Sequence, residues 1–136
     1  MKKVEAIIRV SALDAVRDAL DQRGINGLTI TEVLGMGSEP GQTTQYRGVS
    51  YRIDSHHRLR LEVVLPAAEA GPVAHAIARA ARTGRPGDGL VMILPVTTAV
   101  RIRTGEQGVG TVTSGPALLP SDPVPATGRT RAARRA

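Results

Sequence analysis

Apolar and polar residues alternate along several short segments of the chain. The alternation runs over residues 2–10, 27–34 and 58–65, and it predicts three strands that each bury at least one face. Residues 90–94 form a nearly continuous apolar run, which is typical of a central strand with two covered faces. Residues 99–103 alternate again and predict a short strand or its edge.

Two segments between these strands have apolar residues at helical spacing. The first follows Ser11, which begins a sequence resembling a capping box, and it ends at Gly24. The second runs from about Glu69 or Pro72 to Arg82, with the proline placed in the first turn. The order is strand, helix, strand, strand, helix, strand. This order predicts an α+β, ferredoxin-like βαββαβ fold in which an antiparallel sheet carries two helices on one face.

Two segments lack any apolar periodicity. Residues 37–52 are polar and predict a loop of about 16 residues between two adjacent strands, a length that usually indicates function or disorder. This loop holds Tyr46 and Tyr51, the only aromatic residues in the chain. Residues 113–136 are rich in proline, and we expect a disordered, basic tail after a single domain formed by residues 1–112.

Composition and charge narrow the classes of protein. The chain has 136 residues and a net charge of +6, but the tail contributes +3 of it, from four arginines against one aspartate. Residues 1–112 are therefore only mildly basic. There is no cysteine for disulfides or thiolate chemistry, and no apolar run approaches the ~20 residues of a membrane span. The first residues lead into a strand pattern rather than a signal peptide, so we expect a soluble cytoplasmic protein.

A glycine-rich segment with the sequence TGRPGDG, residues 83–89, is the clearest candidate for chemistry; we call it the glycine turn. Glycines allow positive φ and a close approach of the backbone, and consecutive N–H groups can form an anion site. Arg101 and Arg103 would project from one face of the predicted strand, where both could meet a polyphosphate. A tight connection without a ligand is the alternative that these residues leave open.

Five segments, in one order, resemble the PII signal-transduction proteins. They are MKKVEAIIR at residues 1–9, GLTITEV at 27–33, YRGVSY at 46–51, AARTGRPGDG at 80–89 and VRIRTGE at 100–106. The similarity covers about residues 1–110. It implies a homotrimer of ferredoxin-like subunits with adenine nucleotides in the clefts between subunits, a long loop that contacts partner proteins, and no enzymatic activity.

The resemblance also implies a set of nucleotide-binding residues. The phosphates would lie on the backbone of Gly87, Asp88 and Gly89 and on the side chains of Arg101 and Arg103. The adenine and ribose would lie among Ile7, Thr29, Glu62 and Val64, with Gly35 and Gly37 at the base of the loop. Taken without the resemblance, Ile7 and Val64 could be ordinary core residues, and Glu62 could pair with Arg60.

Four positions at the ligand sites that the resemblance implies depart from the family pattern. Members that sense 2-oxoglutarate have a glutamine, which helps to hold Mg²⁺, where this chain has Glu39, and a lysine where it has Arg58. A basic residue and a second lysine are replaced by Ser38 and Leu90. Two lost charge-assisted contacts of ~1.5 to 3 kcal/mol each should weaken triphosphate binding at least tenfold, with Arg85 as a partial substitute. We expect a preference for ADP or AMP over ATP.

We therefore expect a divergent PII-like regulator of nitrogen metabolism. It would sense ATP, ADP or AMP and act through residues 37–54 on a membrane transporter or a metabolic enzyme, with peripheral recruitment to the membrane in the first case. An alternative is a PII-like sensor of carbon metabolism that binds ADP or AMP with bicarbonate, with His56 or His57 near the anion. Tyr51 matches the position that many members nucleotidylylate.

Two further classes fit the residues less well. A nucleic-acid-binding ferredoxin-like module is suggested by the basic tail, but the predicted sheet has no aromatic residues on which bases could stack. An enzyme is not expected, because the three histidines, His56, His57 and His75, show no Ser-His-acid spacing. We place His75 on the surface of the second helix.

Overall fold

The computed structural model describes residues 1–37, 40–53 and 55–112. Eight regular elements follow one another: β1 (Lys2–Arg9), α1 (Leu13–Asp21), β2 (Thr29–Gly35), β3 (Gln42–Tyr46), β4 (Val49–Ile53), β5 (His56–Leu65), α2 (Ala67–Ala81) and β6 (Gly89–Pro95). Single 3₁₀ turns at Val10–Ala12 and Val109–Thr111 complete the described structure. The predicted tail, residues 113–136, lies outside the described residues.

The main sheet has the strand order β2-β5-β1-β6, and every neighbouring pair is antiparallel. β1 is central because it pairs with β5 on one side and β6 on the other. Its alternation correctly predicted one buried face, since Val4, Ala6 and Ile8 are almost completely buried. The strand order and the two helices confirm the ferredoxin-like α+β fold.

Both helices cover the same face of the sheet. Val16 and Leu20 of α1 and Val73 and Ile77 of α2 join Leu61 of β5 in one aliphatic core. Burying each such side chain contributes about 1.5–3 kcal/mol, so aliphatic residues alone can supply this core. Among the described residues no helix is long and apolar enough to cross a membrane, and the longer helix, α2, has 15 residues.

The opposite side of the sheet, which we call the open face, carries the outward side chains of its strands. Ile7, Glu62 and Val64 are half-buried there without helix cover. Lys3 Nζ lies 2.9 Å from both Glu5 Oε2 and Glu62 Oε1. Hydrogen bonds to Glu5 and Glu62 raise the pKa of Lys3, and the bond from Lys3 lowers the pKa of Glu62.

The prediction of an unstructured loop over residues 37–52 is wrong in part. β3 and β4 pair as a hairpin, with Tyr46 opposite Val49. The connecting residues, Arg47 and Gly48, have φ values of 51° and 77°, and a two-residue hairpin turn needs positive φ at both central positions. The side chains of residues 43–52 are exposed, so no buried face produced an apolar period.

Two strand predictions near the C-terminus need correction. β6 is an edge strand in the described part of the chain, with Leu90 59% and Ile93 47% exposed, although its apolar run predicted a central strand. Residues 99–103 form no strand; one isolated bridge joins Val100 to Gln107. A turn replaces the strand because Gly105 donates its N–H to the carbonyl of Arg101 at 2.8 Å.

The starts of the two helices also differ from the prediction. Ser11 does not cap α1, which begins at Leu13 directly after a 3₁₀ turn and has no side-chain cap. α2 begins at Ala67, so Pro72 lies inside the helix rather than in its first turn. Because proline lacks an N–H, α2 forgoes one backbone hydrogen bond there. His75 lies on the exposed surface of α2, as predicted, with Nδ1 2.9 Å from the Gly71 carbonyl.

The position of Leu61 at the centre of the core gives a test of this packing. We expect Leu61→Ala to lower the free energy of unfolding by about 2–5 kcal/mol, from lost burial and the cavity left behind. Denaturant unfolding at a fixed protein concentration would measure it. Ile102→Ala is the matched control, because Ile102 is 100% exposed and the loss there should stay within about 0.5 kcal/mol. Equal losses in the two variants would contradict the described core.

Candidate functional site

The glycine turn connects the end of α2 to β6 and lies against β1. Gly89 has φ +106°, and a Cβ atom there would lie 1.8 Å from the carbonyl oxygen of Ile7. That distance is far below any van der Waals contact, so only glycine allows the turn to lie this close to β1. The close approach fixes where the turn ends and β6 begins.

The side chain of Asp88 folds back across the turn. Oδ2 accepts hydrogen bonds from the N–H groups of Thr83 and Gly84, both at 2.8 Å, and Oδ1 accepts one from the Thr83 hydroxyl. These bonds, that of the Thr83 hydroxyl above all, hold the pKa of Asp88 well below its usual range. The Asp88 carboxylate is therefore negatively charged in the folded protein at neutral pH.

Arg9, at the end of β1, ties the turn to the sheet. Its Nε donates to Asp88 Oδ1 at 3.4 Å, and its Nη2 donates to the carbonyl of Pro86 at 2.6 Å. The Arg9 side chain is only 14% exposed, so these contacts are partly shielded from water. The sequence offered no indication of this role. Arg9 looks like any arginine at the end of a strand, and its partner Asp88 lies 79 positions further along the chain.

A cleft of about 570 Å³ opens beside the turn. It brings together seven of the predicted site residues: Ile7, Gly35, Gly37, Arg58, Gly87, Asp88 and Gly89. Met36, His56, Arg85 and Leu90 complete its lining. The glycine turn and the base of the β3–β4 hairpin thus share one cavity, so a ligand there would touch both.

The side chains of this cleft favour an anion. Arg58 and Arg85 line it, while Asp88 is already engaged by the turn itself. Burial, and next the neighbouring Arg9, lower the pKa of Arg58 from its ordinary value. Guanidinium groups are suited to bind anions, and a bound anion would offset the desolvation of Arg58.

Three predicted site residues lie on the open face away from this cleft. Thr29 pairs with Glu62 on β5, and Val64 pairs with Lys3 on β1, whereas Ile7 pairs with Arg60. Val64 is therefore four residues along β5 from the row of Ile7, or about 13 Å. Arg60 Nε lies 3.7 Å from Glu62 Oε2, so the ion pair between these two residues is present beside the shorter contact of Glu62 with Lys3.

The prediction that Arg101 and Arg103 share one face of a strand is wrong. Both lie in the C-terminal turn, and neither lines the cleft. Arg101 Nη2 donates to the Thr111 carbonyl at 2.7 Å, and its Nε lies 3.4 Å from Glu106 Oε2. These local contacts hold the Arg101 side chain against its own C-terminal segment.

The β3–β4 hairpin places both tyrosines in solvent. Tyr51 lies on β4 opposite Thr44, and its phenol is accessible. Tyr46 ends β3, with the Arg47 guanidinium 5.4 Å from the centre of its ring. Ser38 and Glu39, two of the positions that depart from the family pattern, lie outside the described residues. In the described ranges no three His, Asp or Glu side chains form a metal-binding group.

The fold and the cleft define a class of small ferredoxin-like domain with a glycine-rich turn beside a cleft and an exposed hairpin. Residues 1–106 match the family model described as nitrogen regulatory protein P-II. Similar proteins of that name include those of Azospirillum brasilense, 46% identical over 108 residues, and of Synechocystis, 48% identical over 107; each match covers 79% of this chain and 96% of the relative. That of Rhizobium meliloti is 45% identical over 112 residues, which is 82% of this chain and all of the relative.

The chain belongs to the nitrogen regulatory protein P-II family. It is a PII signal-transduction regulator, and the proteins of this family are regulatory rather than enzymatic. The resemblance of its five segments to PII proteins is thereby confirmed. PII proteins are trimers that regulate partner proteins and generally bind ATP, ADP and 2-oxoglutarate.

Two glycines of the turn give a matched test of the contact with β1. Gly84 and Gly89 both have positive φ, but a Cβ at Gly84 meets nothing within 4 Å. We expect Gly84→Ala to cost about 1–2 kcal/mol of stability from backbone strain alone. Gly89→Ala should cost at least about 2 kcal/mol more, because its methyl group meets the Ile7 carbonyl. Denaturant unfolding of both variants measures the difference, and equal losses would refute the contact.

Proposed function

We propose that this PII regulator senses adenine nucleotides whose phosphates bind the backbone of the glycine turn. The observation that carries the proposal is that the backbone of residues 87–89, held against β1 at Gly89, lines a cleft that Arg58 and Arg85 also line. Backbone N–H groups and guanidinium groups are the donors that proteins use for phosphate. The predicted site residues that do not line this cleft would then contact the nucleotide from a neighbouring subunit.

The second half of the site comes from a neighbouring subunit of a homotrimer. Thr29, Glu62 and Val64 do not line the cleft of their own chain, and Val64 lies four residues along β5 from the row of Ile7. Arg101 and Arg103 do not line the cleft of their own chain either. β6 is an edge strand in the described part of the chain and carries the exposed Ile93, and an edge with apolar side chains supports packing against another copy.

ADP or AMP is the preferred ligand over ATP. Leu90 lines the cleft where a related protein would place a lysine, and it pairs with Ile7 at the end of β6. Its side chain offers no charge to a terminal phosphate. Arg85 lies at the same cleft and supplies a partial substitute.

The β3–β4 hairpin and its flanks, residues 37–54, carry the signal to a partner. Gly35, Met36 and Gly37 line the cleft and lead directly into this segment, so a bound ligand contacts its base. The partner is a membrane transporter, to which the protein is recruited peripherally, or an enzyme of nitrogen or carbon metabolism. The exposed phenol of Tyr51 is a candidate for covalent modification.

A second candidate ligand beside the nucleotide is bicarbonate. Arg58 and His56 both line the cleft near the glycine turn, and a small anion fits between a guanidinium and an imidazole. Binding of 2-oxoglutarate through Mg²⁺ would involve Glu39, which lies outside the described residues. We therefore assign no metal to the described cleft.

Calorimetric titration with ATP, ADP and AMP, each with and without bicarbonate or 2-oxoglutarate, tests the proposal. We expect ADP and AMP to bind at least about tenfold more tightly than ATP, because the charge at position 90 is absent. We also expect bicarbonate, and not 2-oxoglutarate, to tighten nucleotide binding.

Leu90→Lys is the control for this panel. The side chain at position 90 is exposed, so a lysine can be accommodated and should raise the affinity for ATP by about tenfold or more. Failure of all three nucleotides to bind the trimer would overturn the proposed function. Tightest binding of Mg-ATP to the wild-type protein would overturn the preference alone.

Mixed trimers test whether two subunits share each site. One variant, Leu90→Glu, would damage the glycine-turn half by charge repulsion, and the other, Arg101→Ala with Arg103→Ala, would damage the second half. Neither variant alone should bind ADP. A mixed ring necessarily contains a junction between an intact turn and intact arginines, so binding should return at one site per mixed trimer.

Differently tagged subunits, co-expressed and purified through both tags, would provide the mixed trimers. The matched control is a trimer whose differently tagged subunits are all of one variant. It should not bind ADP. If the mixed trimers also fail to bind ADP while the wild-type protein binds it, each site lies within a single subunit.

A further inference from the structure

The Asp88 carboxylate has no capacity left for a ligand. Oδ2 accepts the N–H groups of Thr83 and Gly84, and Oδ1 accepts the Thr83 hydroxyl and Arg9 Nε. A carboxylate offers about four lone-pair sites, and here they are all used. Its negative charge would also repel a phosphate if it were turned toward the cleft. Asp88 is therefore better suited to hold the turn than to contact a nucleotide.

These bonds join the two ends of the glycine turn. Thr83 is five positions before Asp88, and Gly84 is four. The Thr83 hydroxyl also accepts the N–H of Arg85 at 3.2 Å, so the first residues of the turn are tied to each other as well. Glycine is the most flexible of the residues, and a turn containing Gly84, Gly87 and Gly89 would sample many backbone conformations without such bonds.

Arg9 fixes the same turn to the sheet. It reaches the Asp88 carboxylate through Nε and the Pro86 carbonyl through Nη2 at 2.6 Å. The turn is thus held at its first residues, at Pro86 and at Asp88, while the backbone of Gly87 and Gly89 faces the cleft. A loop that is ordered before binding loses less conformational entropy when the ligand arrives.

We propose that Asp88 is a positioning residue that preorganises the glycine turn for phosphate, with Arg9 as its anchor on β1. The inference rests on the proposed nucleotide function and deepens it. Hydrogen bonds that do not touch the ligand would strengthen phosphate binding, because they order the turn before the ligand arrives. It differs from the role that the family resemblance implies for Asp88, which is limited to its backbone.

Asp88→Asn tests the proposal. The amide can still accept the N–H groups of Thr83 and Gly84, but its NH₂ faces Arg9 Nε, which can only donate, and the negative charge is lost, so the turn should loosen. We expect the dissociation constant of ADP to rise by about tenfold or more, whereas that of adenosine, which has no phosphate, should not change. Calorimetry for ADP and NMR titration for adenosine provide the two values.

Hydrogen exchange in the ligand-free protein is the second readout. We expect the amides of Thr83 and Gly84 to exchange at least about tenfold faster in Asp88→Asn than in the wild-type protein, with exchange in β1 and β5 unchanged. Asp14→Asn is the matched control, because Asp14 is an exposed aspartate on α1 outside the cleft. It should leave both readouts at the wild-type values.

Thr83→Val provides a milder variant if Asp88→Asn does not fold. It removes one hydroxyl at nearly constant volume, and ADP binding should weaken while adenosine binding is retained. Equal losses for ADP and adenosine would show a general structural role and overturn the proposal, as would ADP binding and amide exchange unchanged in Asp88→Asn. If the wild-type protein bound no nucleotide, the proposed function would fail, and the exchange data would still decide whether Asp88 holds the turn.

Discussion

The close approach of Gly89 to the carbonyl of Ile7 joins the fold of this protein to its binding cleft. β1 supplies the centre of the core through Val4, Ala6 and Ile8, and the same strand supplies the surface against which the glycine turn lies. The pairing of Ile8 with Gly89 sets the register of β6 and also the position of the turn. The C-terminal end of the glycine turn is therefore held against the most deeply buried strand of the sheet.

The two faces of the sheet have different physical tasks. The helix-covered face carries an aliphatic core that supplies most of the stability through burial. The open face carries charged residues such as Lys3, Glu5 and Glu62, whose partly exposed pairs contribute little to folding. Substitutions of these charged residues on the open face should therefore cost the fold little.

Much of the fold followed from the sequence because burial is periodic. Alternation along β1 and β5 and helical spacing in α2 each reflect one buried face, and they gave the right elements in the right order. The β3–β4 hairpin left no such trace, since its exposed side chains have no face to distinguish. Its turn is identified only in the structure, by the positive φ values of Arg47 and Gly48. The apolar run of β6 predicted a central strand, and β6 is instead an edge strand of the sheet. An apolar run does not show how much of a strand is covered by the rest of its own chain. The sequence motif predicted that Gly87 and Gly89 of the glycine turn belong to the candidate site, and both line the cleft. The contacts of Arg9 could not be predicted, because they depend on tertiary geometry alone.

The location of Tyr46 and Tyr51 has an optical consequence. The chain contains no tryptophan and no phenylalanine, and its two tyrosines both lie on the exposed β3–β4 hairpin. The absorbance and emission of the protein in the near ultraviolet therefore originate in this hairpin, while the sheet and helices are silent. The segment that carries the proposed signal thus has a built-in spectroscopic label, and its environment can be followed in the unmodified protein without any added dye.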